Sequence, residues 1–102
     1  MHARVTHFRV RPGKIEDSQG AADSVIPLIR KQRGFRALVV LHTPQESKPE
    51  ATVLSLWDSL DDLKASEKNL FLYQAIARVL SYCEGFPAIR EHEVLVSEFA
   101  AD

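Results

Sequence analysis

Trp57 is the only tryptophan of the chain, and it stands where the apolar run Ala51–Trp57 gives way to Asp58 and Ser59. Its indole can stack on a flat ligand or donate its N–H to a substrate oxygen. Equally, it can fill a dimer core, because aromatic side chains dominate core and interface energetics. His7 and His42 fall in strand-like runs at positions that can share a face with Trp57. A neutral imidazole with a pKa near ~6.5 can take a phenolic proton and so prepare a phenolate for attack by oxygen. His7 and Trp57 are therefore the candidate catalytic pair. Simple alternation turns their face away from the helices, so bringing it to a cavity needs a bulge or a sheet edge. Two histidines without a neighbouring Asp, Glu or Cys pattern fall short of the roughly three to four ligands that zinc takes, and no metal site is expected.

The other chemistry-bearing residues read as structural. His92 lies between Glu91 and Glu93 on a charged strand and His2 lies in the terminus, so neither is given a catalytic role. Cys83 falls on a helical stripe with Val79 and Leu80 and reads as an inert core thiol. Tyr73 and Tyr82 stand nine residues apart, which places them about 180° from each other on a helix, so both cannot enter one cavity. Thr6, Phe8, Leu54, Phe71 and Tyr73 are the expected pocket wall. Arg30, Lys31 and Arg33 complement a helix C-terminus, and no Gly-rich phosphate loop, Ser-His-Asp order or Cys-x-x-Cys is present.

The elements that must position these residues follow from pattern. Ala3–Val10 alternates as a strand, with Thr6, Phe8 and Val10 on one side and Val5, His7 and Arg9 on the other. After Pro12-Gly13, Glu16–Arg33 reads as a helix ending at Gly34, and Pro27 predicts a kink within it. Phe35–His42 and Ala51–Trp57 are the second and third strands, joined through the polar run Gln45–Glu50 as a hairpin. Ser59 and Asp62 form a capping pair that starts a helix near Leu60, whose second part runs Asn69–Glu84 and stops at Gly85. Ala88–Phe99 alternates as the fourth strand. The order β-α-β-β-α-β predicts one α+β domain over residues 1–102, a ferredoxin-like four-stranded antiparallel sheet with helices on one face. Phe8, Val10, Ala37, Val39, Leu41, Leu54 and Leu56 are the set expected under the helices. The opposite set, Val5, His7, Leu38, Val40, His42, Val53, Ser55, Trp57 and Leu95, is too apolar for water, so a second copy is expected to cover it.

Composition bounds the function classes. The chain has 102 residues, a net charge of −1, 45% hydrophobic and 26% charged residues, which is the soluble globular range. The balance of charge gives no support for a nucleic-acid or membrane partner, and an RNA-recognition module would need paired aromatics and a basic surround on the sheet. One cysteine excludes an intrachain disulfide, and Met1–Val10 has no continuous apolar run, so a cytoplasmic protein without a leader or membrane span is expected.

Two stretches carry a family resemblance: Val25-Ile26-Pro27-Leu28-Ile29-Arg30 with Gly34-Phe35, and Leu54-Ser55-Leu56-Trp57-Asp58-Ser59. In length, element order, the Gly-Phe entry to the second strand and the Trp-acidic-Ser step into a helix, the chain resembles the antibiotic biosynthesis monooxygenase domain family. Ile89–Val96 is similar to the family's last strand, which exchanges across a dimer. The resemblance implies a homodimer that closes as an α/β barrel, with a cavity in each subunit between sheet and helices. Some members oxidise phenols or quinols with dioxygen and no metal or flavin, others degrade haem, and others are isomerases or have no known activity. The haem-degrading branch uses a first-strand Asn with a Trp and a His on the second helical region. This chain has Thr6 or His7 at the first place and no His between Trp57 and Gly85, so haem degradation is not implied. Quinol-oxidising members use a strand Asn shortly before the Trp, and Val53–Leu56 contains none. The expectation is a cofactor-independent monooxygenase-like protein that binds a small flat aromatic or quinol-type molecule. The alternative is a non-catalytic ligand-binding or stress-related homodimer of the same fold.

Overall fold

The computed structural model describes residues 1–45 and 47–100. Glu46, within the predicted hairpin loop, and Ala101 and Asp102, at the end of the predicted domain, lie outside the described residues. The chain runs β1 (His2–Arg9), α1 (Ile15–Asp23), α2 (Ile26–Ile29), β2 (Phe35–Thr43), β3 (Glu50–Trp57), α3 (Leu60–Lys68), α4 (Phe71–Val79), one 3-10 turn (Leu80–Tyr82) and β4 (Ala88–Glu93). The sheet order is β2-β3-β1-β4, and every neighbouring pair is antiparallel. This is the α+β, ferredoxin-like βαββαβ arrangement that the element order predicts, with the helices on one face.

Pro27 breaks the first helix instead of kinking it. The chain leaves α1 at Asp23 and restarts as α2 with Pro27 in its first turn, where the missing N–H has no acceptor to disappoint. The second helical region is likewise divided. Leu70 takes a left-handed φ of 67° between α3 and α4, and Asn69 Oδ1 accepts the freed amide of Phe71 at 3.0 Å. The fourth strand is shorter than the predicted Ala88–Phe99. It ends at Glu93, and just beyond it Val94 N–H donates to the Met1 carbonyl at 3.0 Å. Leu95 and Val96 beyond it are 87% exposed.

The face assignment is corrected on two strands. Arg4, Thr6, Phe8 and Val10 face the helices, as alternation predicts. On β2 and β3, however, Leu38, Val40, His42, Ala51, Val53, Ser55 and Trp57 face the helices. Ala37, Val39, Leu41, Leu54 and Leu56 lie on the open face beside Val5 and His7. Apolarity could not separate the faces, because the open face is the more apolar of the two. Packing sets the phase instead. Trp57 is wholly buried in a cluster with Ile29, Leu63 and Phe71, and a bulge at Arg36 keeps Phe35 and Leu38 on the same side of β2. Phe35 meets the Trp57 ring edge-on at 5.9 Å, an arrangement worth ~0.5–1.5 kcal/mol beyond burial. A second cluster gathers Phe8, Val79 and Cys83.

Candidate functional site

A cavity of about 300 Å³ lies between the sheet and the helices, bordered by both clusters. Its walls are mostly apolar: Phe8, Val40 and Val53 from the strands, Ile26 and Ile29 from α2, Phe71 and Ile76 from α4. A concave apolar space with a few polar groups is the usual form of a small-molecule site. Here the polar groups fall into two sets. Ser18, Gln19, Asp23 and His42 line an exposed or half-exposed rim, whereas Arg4, Thr6 and Ser55 are buried. Arg4 and Ser55 are directly paired across β1 and β3, and Thr6 is the next residue on the same face of β1.

Arg4 is an unusual wall residue, being only 2% exposed. Its Nη2 donates to Leu63 O and Ser66 Oγ, both at 3.0 Å, and to Glu67 Oε1 at 3.3 Å. The guanidinium carbon lies 5.7 Å from the centre of the Trp57 ring, a cation–π distance. Its Nε–H is enclosed and has no acceptor. Burial draws the Arg4 pKa below the ordinary guanidinium value, opposed by Glu67, yet a guanidinium stays charged at neutral pH. Glu67 is pushed up, first by burial and then by Glu91 close by. Lys64 bridges the two carboxylates, at 2.9 Å from Glu91 and 3.9 Å from Glu67. Burial pushes the Cys83 thiol up, so this cavity-lining sulfur is held as a thiol.

The helix that carries this cluster is started by sequence-local chemistry. Ser59 Oγ accepts the Asp62 amide at 3.1 Å and donates to the Asp62 carboxylate at 3.0 Å. Asp62 is also held by Arg33 at 2.7 Å, while Gly34, with φ of 78°, accepts the Asp58 amide at 2.8 Å. The Gly-Phe and Trp-Asp-Ser stretches thus meet and fix where β3 hands over to α3.

Of the residues expected at the site, Thr6, Phe8 and Phe71 line the cavity together. Leu54 does not, because its strand phase is reversed and it points to the open face. Tyr73 is 53% exposed on α4 and is not in the wall. His7 is on the open face, hydrogen-bonded through Nδ1 to Thr52 Oγ1 at 3.1 Å and 3.6 Å from Glu50 through Nε2. Trp57 is fully enclosed and donates its N–H to Ser55 Oγ at 3.0 Å. His7 and Trp57 are therefore not brought together, and the imidazole that reaches the cavity is that of His42. Arg4 and Ser55 were missed as wall residues, although alternation already placed Arg4 on the same side as Thr6 and Phe8. Among the described residues no group of three or more His, Cys, Asp or Glu is placed to hold a metal ion, and no helix is long and apolar enough to cross a membrane.

The antiparallel β2-β3-β1-β4 sheet with helices on one face and a cavity beneath them makes this a small α+β protein of the ferredoxin-like class. The sequence model described as antibiotic biosynthesis monooxygenase matches residues 1–78. The chain belongs to that family. None of the curated proteins matches it. Among solved structures, it is similar to one called a putative antibiotic biosynthesis monooxygenase from Bordetella bronchiseptica, at 14% identity and a TM-score of 0.75 over 93% of this chain and 97% of that one. It is similar to the heme-degrader MhuD from Mycobacterium tuberculosis at 16% identity and a TM-score of 0.76, covering 97% and 100%. An anthrone oxidase-like protein matches at 23% identity and a TM-score of 0.70, over 88% of this chain and 42% of that one. At these identities the likeness is one of fold.

Proposed function

We propose that this protein binds a small, flat, mostly apolar aromatic molecule in the cavity between sheet and helices, as a cytoplasmic homodimer joined through its open sheet face. The observation that carries the reading is the cavity itself, about 300 Å³ and walled by aliphatic and aromatic side chains with polar groups at two places only. The apolar open face, where Val39 is 44% and Leu41 54% exposed, supports the dimer.

The reaction that suits this site is oxidation of a phenol or quinol by dioxygen with no further cofactor. His42, at the rim, takes the acidic proton, and the apolar wall withholds water from the anion that remains, which raises its tendency to give electrons to oxygen. For anthrone the balance is simple. The ring methylene loses two hydrogens, one atom of dioxygen becomes the new carbonyl, and the other leaves as water. Trp57 serves this site from behind, by stacking on Arg4, and not as a residue that touches the substrate. A haem reaction has less support, since no histidine stands on α3 or α4 to hold iron.

Oxygen uptake with anthrone tests the reading. The expected result is consumption of dioxygen matched by anthraquinone, above the uncatalysed rate and reduced in His42→Gln. Tight anthrone binding without uptake would leave the second reading, a non-catalytic binding protein, which the exposure of the cavity's acid–base groups His42 and Asp23 favours.

A further inference from the structure

Helices α1 and α4 border the same cavity, and both are nine residues long. α4 buries Phe71, Leu72, Ile76 and Val79, whereas α1 buries no side chain. A helix of this length does not hold itself together in water and depends on packing along one face. In α1 that face is Ile15, Ser18, Gln19 and Ala22, spaced as i, i+3, i+4 and i+7, and all four line the cavity. Ala21 and Ala22 reach the Phe8, Val79 and Cys83 cluster with one methyl group each. Glu16 and Asp17 suit the first turn, and Arg78 donates to Ser24 Oγ at 3.0 Å on the exposed side. Against these, Lys14 at the N-cap gives no side-chain hydrogen bond, and Gly20, in the interior, is a poor helix former. The chain on either side is anchored. Before α1 the Arg11 amide donates to the Tyr82 carbonyl at 2.9 Å, and after it Ile29 is buried beside Trp57. Between these anchors and the helix stand Gly13, at a left-handed φ of 77°, and the break at Ser24-Val25.

We propose that α1 is a lid whose missing core is the ligand. In the free protein it opens and closes between its two anchors, and an apolar molecule in the cavity supplies the surface that holds it down. The proposal rests on the cavity being a ligand site, and it adds how that site is closed. Because the ligand is held by the closed helix, its affinity is reduced by the fraction of molecules in which α1 is open.

Amide hydrogen exchange of the intact protein, read by mass spectrometry with and without 2-naphthol, tests the lid. In the free protein the α1 amides are expected to exchange about tenfold or more faster than those of α4, and 2-naphthol should slow them more than those of any other element. Gly20→Ala supplies a second readout. An added Cβ there meets nothing within 4 Å and Gly20 does not line the cavity, so the change raises helix propensity without touching the ligand. It is expected to raise 2-naphthol affinity about two- to fivefold. Exchange of α1 as slow as that of α4 in the free protein would overturn the lid while leaving the cavity as a site. So would protection confined to other cavity-lining segments, or an affinity unchanged by Gly20→Ala. Absence of protection by 2-naphthol in every cavity-lining segment would overturn both.

Discussion

The carboxylate side chain of Asp62 occupies the space into which a Cβ on Gly34 would project. One residue closes the turn before β2 and the other sits in the first turn of α3 against its Ser59 cap, so this single close approach ties the two family stretches together. Gly34→Ala must introduce a side chain at a φ of 78° and displace Asp62. A left-handed non-glycine residue costs about 1–3 kcal/mol before any clash is counted. Urea unfolding of this variant is expected to show a loss at or above that range, and wild-type stability would contradict the account.

Asp62 also makes the fold sensitive to acid. The Arg33 hydrogen bond first, and the Ser59 hydroxyl second, hold its carboxyl below the ordinary carboxylate value. A pKa lower in the folded state means that the stabilisation is present above the unfolded-state value and is lost as pH falls through the folded one. Asp62→Asn should therefore lower the melting temperature at neutral pH, with the gap to wild type closing as pH falls below the ordinary carboxylate range. A gap that persists unchanged in acid would show that shape, and not charge, explains the role of Asp62.

Trp57 separates packing from ligand contact. It is fully buried, outside the cavity wall, and joined to Arg4 and Ser55. Trp57→Phe is expected to cost about 1–3 kcal/mol of stability while 2-naphthol affinity stays within about twofold. A tenfold loss of affinity in a variant of undiminished stability would make the indole a ligand-contacting group.

The open sheet face gives the assembly prediction. Val39 and Leu41 are large, exposed and adjacent on one side of β2. If the proposed dimer forms through this face, the double substitution Val39→Lys and Leu41→Glu gives a folded monomer in light scattering coupled to size exclusion, where the wild type runs as a dimer, because charge there must be desolvated on association. A dimer that survives both changes uses another surface.

Much of this molecule was legible from its residues, and the largest failure is one of strand phase. Element order and the Ser59 cap are local signals, and each appears where the sequence places it, whereas the first helical region ends at Ile29 and the left-handed Gly34 serves the turn into β2 instead of stopping a helix. The phase of β2 and β3 is not local. Polarity alternation marks the inside of a sheet only when one face meets water. In this chain the open face carries Val5, Val39, Leu41, Leu54 and Leu56, while the enclosed face carries Arg4, Thr6, Ser55 and His42 to furnish a cavity. Leu54 misses the site for that reason, whereas His7 stays on the open face where alternation on β1 places it, with no bulge in β1 to turn it inward. The bulge at Arg36 and the left-handed Leu70 left no composition signal that pattern reading could use.

The central claim is that the cavity under the helices holds one small aromatic molecule per chain. Val40 lines it and is 50% exposed, so a larger side chain there can fill the space without disrupting the core. Native mass spectrometry of the wild type and of Val40→Trp, each mixed with 2-naphthol, tests the claim most directly. The account predicts a wild-type dimer carrying one naphthol per chain and a folded variant with affinity weakened about tenfold or more. Equal naphthol retention by both proteins would contradict it, as would a wild type that retains none.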